Sequence, residues 1–142
     1  MSFAVISIVS FFIVLSILVL VHELGHFIVA KACGVRVETF SLGFPPRLFG
    51  IKYGDTDYCV GVLPFGGYVK MSGESPGAET TGDAAEFSAR PRWQRVLIAV
   101  AGPVANFVLA FALMAGFFYF LGRQFAVDDA PPVVIDDPMK VP

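Results

Sequence analysis

Apolar side chains run from Phe3 to Ala30 and again from Val96 to Leu121. No charged residue occurs between Ser2 and Val21. The first run is broken only by His22, Glu23 and His26, and the second carries no charge. Each run exceeds the ~20 apolar residues that take a helix across a bilayer core of about 30 Å. The pattern therefore predicts a first transmembrane helix within residues 1–30 and a second over 96–121. Between them, in 31–95, the period shortens to two. Val35 and Val37 alternate with Arg36 and Glu38, Phe49, Ile51 and Tyr53 form a second alternating run, and Tyr58, Val60 and Val62 a third. Gly54–Asp57 lies between the last two runs as a four-residue hairpin connection. Pro64–Met71 adds a turn at Gly66-Gly67 and one more short strand. The expected fold is an α-helical membrane protein with two transmembrane helices and a small antiparallel β-sheet, of three or four strands, in the cytoplasmic loop between them.

The remaining segments read as connections. Ser72–Ala89 is rich in Gly, Ser and Thr and holds Glu74, Glu79, Asp83 and Glu86, the composition of a solvated surface loop. Pro91, Arg92, Trp93 and Arg95 suit an interfacial anchor, with the indole at headgroup level and the cations in water. In the second span, Pro103 lacks a donor and should bend the helix or free a carbonyl near Ala99. Asn106, taken alone, reads as a helix–helix hydrogen bond. Residues 122–142 turn polar and proline-rich, as at the start of an extracytoplasmic region, and Val133–Ile135 has the character of an opening strand.

Composition sharpens the membrane reading. The chain of 142 residues is 56% hydrophobic and only 15% charged, with a mean hydropathy of +0.71, whereas roughly a quarter of an ordinary soluble domain is charged. A net charge of −2 supplies no basic field, so no nucleic-acid partner is expected; the surroundings are membrane lipid. Lys31, Arg36, Arg47, Lys52, Lys70, Arg90, Arg92 and Arg95 all fall between the spans. The positive-inside rule then places the loop 31–95 in the cytoplasm and both termini outside, in a multi-pass protein of the cell inner membrane. Cys33 and Cys59 form no disulfide framework and lack the spacing of a zinc knuckle. Ala30-Lys31-Ala32 resembles a signal-peptidase site, but no basic residue precedes the long apolar run, so a retained span is expected.

The chemistry is concentrated at His22-Glu23-x-x-His26. Residues four apart on a helix lie one above the other, separated by about 6 Å of rise. Both imidazoles can therefore reach one Zn2+ ion, and Glu23 flanks that face as a general base for water. Gly25 would let a substrate or a neighbouring helix come close. These are the only two histidines in the chain, and ionisable groups at this depth need a partner or a function. Catalytic zinc usually has three protein ligands. Glu38, Asp55 and Asp57 are poor candidates in strand or turn sequence, so the third ligand is expected outside this chain.

The stretches "VHELGHFIVAKACGVRVETFSLGF", "PFGGYVKMSGE" and "PRWQRVLIAVAGPVANFVLA", in this order from His22 to Ala110, resemble the site-2 protease family, in particular its bacterial regulator-of-sigma-E protease branch. The resemblance implies an intramembrane zinc metalloprotease with His22 and His26 as metal ligands and Glu23 as catalytic base. It implies that Gly102-Pro103-x-x-Asn106 packs beside the site, with Asn106 orienting substrate or steadying an oxyanion. It further implies a third ligand, an Asp on a later span, a PDZ domain after the second span, and a single-span membrane protein, such as an anti-sigma factor, as substrate. One departure is local: Gly43-Phe44-Pro45-Pro46 stands where the family has G-F-G-P.

A helical substrate must unwind before its scissile carbonyl is accessible, and a sheet edge beside the site could hold the extended segment. Val35–Leu42 or Pro64–Met71 would supply that edge, with Leu42, Gly43, Phe44, Gly66 and Gly67 as its candidate residues. The competing readings are a non-proteolytic zinc-binding membrane protein and a membrane scaffold.

Overall fold

The computed structural model describes residues 2–75 and 82–128. Its elements are helix α1 (Phe3–Ala32), strands β1 (Val37–Tyr53) and β2 (Thr56–Met71), and helix α2 (Arg92–Asp128). Both helices are long and apolar enough to cross a membrane. The chain divides into two compact units, Met1–Leu109 and Ala110–Pro142. The first contains α1, the sheet and the first half of α2. In the second, Phe111, Leu113, Phe117, Phe118 and Phe120 of α2 are all exposed, a surface suited to lipid. The expectations for Val133–Ile135 lie outside the described residues.

α1 ends where its sequence stops supporting it. Gly34 takes a left-handed φ of +73°, open to glycine at no steric cost. Its N–H donates to the Lys31 carbonyl at 3.0 Å, and the Val35 N–H reaches back to Ala30 at 2.9 Å. This is the Schellman pattern, which satisfies two of the orphaned helix-end carbonyls. Ala30 and Val35, the apolar pair that usually accompanies it, are both buried. They join Val37, Met71 and Ile98 in the core, with Phe27, Val69 and Phe87 against it. That core ties the end of α1 to both strands and to the start of α2. α2 begins at Arg92, and the Pro91 carbonyl accepts its first bond, from the Gln94 N–H at 3.0 Å. Trp93 is 65% exposed on that first turn.

The small antiparallel sheet is made by two long strands that curl. Phe40 lies opposite both Val69 and Tyr58, and Leu42 opposite both Gly67 and Val60, so 39–42 has a neighbour on each side. The hairpin connection is two residues long, Gly54-Asp55, and not four, because Tyr53 already pairs with Thr56. Gly54 at φ +60° allows the tight Gly-first turn. Gly66-Gly67 makes no turn; both lie inside β2. The Thr56 hydroxyl is fully buried and donates to the Val37 carbonyl at 2.8 Å.

Of the surface loop expected over 72–89, residues 76–81, Glu79 among them, lie outside the described residues; Glu74, Ser88 and Ala89 are exposed, and 83–87 is bonded to the start of the sheet. Arg36 pairs with Asp83 at 2.7 Å, its N–H donates to the Ala85 carbonyl at 2.8 Å, and Glu86 is buried. The Asp83 carboxyl is held below the usual carboxylate range, first by the Ala85 N–H and then by the Arg36 guanidinium. These bonds lash 82–90 to the start of the sheet.

Candidate metal centre

His22 and His26 occupy successive turns of α1, and their Nε2 atoms stand 3.1 Å apart. Two zinc–nitrogen bonds of about 2.0–2.1 Å, near the tetrahedral angle, span about 3.3 Å, so the two nitrogens already converge as a pair of ligands would. His26 Nδ1 donates to the Ile98 carbonyl on α2 at 2.7 Å. A carbonyl oxygen can only accept, so this bond puts the proton on Nδ1 and leaves Nε2 with its lone pair. An anchored distal nitrogen is the usual support of a metal-binding histidine.

The opposite wall is Gly102, buried on α2. A Cβ there would collide with His26 Nε2 and stand 2.6 Å from His22 Nε2. The glycine thus keeps free the space on which both nitrogens converge, and the donor set and this cradle fit a zinc ion. Helix approach is allowed by Gly25, whose Cβ would meet the Ala101 carbonyl oxygen at 2.5 Å and the Ala105 methyl at 2.8 Å. Of the two neighbours the sequence allowed for Gly25, the structure supplies the helix.

Glu23 is half-buried and lines two cavities. One, of about 390 Å³, is shared with His26, Tyr68, Glu74 and Ala99. The other, of about 340 Å³, is bounded by Leu15, Leu18, Val19, His22 and Asn106. Glu23 therefore stands between a polar opening and an apolar one. A larger apolar cavity of about 540 Å³ includes Phe12, Leu42, Gly43 and Gly66 but no residue of the histidine–glutamate cluster. Asn106 faces His22, its Nδ2 3.5 Å from Nδ1.

Gly67 faces Glu23: a Cβ there would lie 3.7 Å from Glu23 Cγ and only 2.6 Å from the Ser41 carbonyl oxygen. Residues 67–70 pair with 42–39 on one side, and no strand among the described residues pairs on the other. The stretch 39–42 is flanked on both sides and has no open edge; within the expected Pro64–Met71 the open edge is 67–70. Among the described residues no set of three His, Cys, Asp or Glu converges as metal ligands. Glu38 is engaged by Lys70 at 2.7 Å and Asp57 by Arg47 at 3.0 Å. Ile98, Tyr68 and Glu74 were not singled out from the sequence, since only the folded neighbourhood brings them to the histidines.

Comparison with known proteins agrees with this geometry. The model for peptidase family M50 matches residues 10–138. A Clostridium perfringens protein named "Putative zinc metalloprotease" is 43% identical over 125 residues, covering 88% of this chain and 36% of its own length. Metalloprotease MmpA of Caulobacter vibrioides is 40% identical over 141 residues, covering 84% of this chain and 35% of its own. The chain thus spans about a third of the length of these relatives. With the match running through both helices and the sheet, the chain belongs to peptidase family M50, the site-2 proteases.

Proposed function

We propose that these residues form the N-terminal part of a zinc metalloprotease that hydrolyses peptide bonds of membrane proteins at or within the bilayer. The observation that carries this reading is the convergence of the His22 and His26 Nε2 atoms, 3.1 Å apart, on the gap left by Gly102, with Glu23 beside them on an apolar helix. The third ligand lies outside this chain. The relatives' names supply the metal and the reaction class.

Bound zinc would supply Lewis acidity to a water and to the scissile carbonyl. Glu23 takes the proton from the attacking water and returns it to the leaving amine, so one amide and one water give a carboxylate and an amine. The polar cavity past Tyr68 and Glu74 admits water, while the apolar one past Leu15 and Leu18 receives the substrate. The open edge at 67–70, next to Glu23, pairs with the unwound substrate segment and holds its carbonyl in reach. The substrate class is a single-span membrane protein, an anti-sigma factor being one example, and the site is that of a multi-pass inner-membrane protein with the sheet on the cytoplasmic side.

Replacing Glu23 by Gln in the full natural polypeptide separates proteolysis from mere metal storage. The expected result is retained zinc with cleavage of a reconstituted single-span substrate reduced by at least ~100-fold. Undiminished cleavage would exclude Glu23 as the base, and a wild-type protein that holds zinc but cleaves no membrane substrate would favour storage.

A further inference from the structure

Each histidine has a second ring nitrogen, and the two are treated differently. His26 Nδ1 has a dedicated acceptor in the Ile98 carbonyl at 2.7 Å. Among the described residues His22 Nδ1 meets only Asn106, at 3.5 Å from Nδ2, while Asn106 Oδ1 is buried without a hydrogen-bond partner. With Nδ2 toward the ring, His22 Nδ1 must accept, so the neutral ring carries its proton on Nε2. Such a nitrogen cannot ligate a metal. Rotation of the amide by 180° about its last torsion exchanges the two atoms with almost no change of shape. The orphaned oxygen then accepts from His22 Nδ1–H, and Nε2 is left with its lone pair.

We infer that Asn106 is the positioning residue for His22: its amide oxygen accepts from Nδ1–H and so selects the tautomer, and the ring orientation, that presents Nε2 to the metal. Ile98 does this for His26 through a backbone carbonyl, which no substitution removes. α2 thus fixes both ligands of α1, one by main chain and one by side chain. In the turned-over amide, the NH2 group faces away from His22. The inference rests on the zinc reading above and deepens it by assigning Asn106 to the metal's support, not first to the substrate.

The test measures zinc affinity by chelator competition in the full natural polypeptide, alongside thermal stability. Asn106→Leu keeps the size and removes the acceptor, and should weaken zinc about 10- to 100-fold, the usual cost of losing such a support. Asn106→Asp keeps an acceptor and lacks the NH2, and should restore affinity to within about threefold of wild type even where cleavage stays low. Unchanged affinity in the Leu variant would overturn the inference. So would an Asp variant as weak as the Leu one, and this arm remains decisive if the Leu variant fails to fold. A wild-type protein without stoichiometric zinc, or one whose zinc survives His22→Ala, would instead refute the metal reading itself.

Discussion

Gly102 of α2 lies directly against the ring of His26, so close that a Cβ on it would overlap Nε2. The same Cβ would crowd His22 Nε2 at 2.6 Å, so this hydrogen-only position keeps open the gap on which the two nitrogens converge. Gly102→Ala is expected to push the imidazoles or the helices apart. Overpacking of this kind costs about 1–3 kcal/mol, and zinc affinity should fall by at least about tenfold. Gly116→Ala is the control: nothing lies within 4 Å of its added Cβ, so stability should change by less than about 1 kcal/mol, in the stabilising direction typical of Gly to Ala in a helix. Chelator competition and thermal unfolding of both variants read the difference.

The open edge at 67–70 predicts a position-specific pattern. Proline removes a main-chain donor. Placed at Tyr68, Val69 or Lys70, it should abolish cleavage without unfolding the protein wherever the lost N–H points away from β1. Where the N–H points toward β1, stability should fall as well. A scan in which every folded variant cleaves at the wild-type rate would exclude strand addition at this edge. Gly67→Ala, whose Cβ would meet the Ser41 carbonyl oxygen at 2.6 Å, should destabilise the sheet by about 1–3 kcal/mol.

Thr56 is a buried polar group whose only visible task is structural. Its hydroxyl donates to Val37 O at 2.8 Å across the curl of the ribbon. Thr56→Val keeps the shape and leaves that carbonyl without this donor, which should cost about 1–3 kcal/mol. Thermal unfolding measures it, and cleavage by the variant that remains folded should be unaffected.

Asp83 gives the packed segment a pH dependence. Its folded-state carboxyl is held low by the Ala85 N–H and Arg36, so the unfolded segment binds the proton more readily than the folded one. The contribution is fully present above the ordinary Asp range near pH 4 and is lost as pH falls through the folded value. The protection of the 82–90 amides, taken relative to their intrinsic exchange rates at the same pH, should therefore fall on acidification below about pH 4 in the wild type. Asp83→Asn should show the lower protection already at pH 7, with little further change in acid. The effect should be no more than a few-fold, because the pair is exposed and screened.

How much of this was legible beforehand follows from the range of the interactions involved. That His22 and His26 share one face could be read because a helix places residues four apart together whatever surrounds it, and the two long apolar helices because runs of that length have few other uses. The alternation around Ile51 and Val60 likewise announced strands, since side-chain direction in a strand is local. Turn geometry was harder. Gly66-Gly67 looks like a turn in one dimension, yet here the missing side chains let Gly66 lie against the Phe44 ring and Gly67 approach Ser41 and Glu23. Within 72–89, read as a surface loop, the burial of Glu86 and the tie from Arg36 to Asp83 were not visible for a similar reason: both depend on residues far along the chain.

By itself, then, the sequence determined the helices, the strand-forming segments and the two histidines on one helix face, because periodicity and hydrophobicity act between near neighbours. Only the tertiary structure decided that the Ile98 carbonyl fixes the tautomer of His26, that Gly102 leaves the gap between the helices open, that Asn106 stands at His22, and that 67–70 and not 39–42 has a free edge beside Glu23. Those contacts join residues some 70 to 85 positions apart. They exist only because Gly25 lets α2 press against α1, and no local pattern encodes which carbonyl or which missing side chain that approach will bring to the histidines.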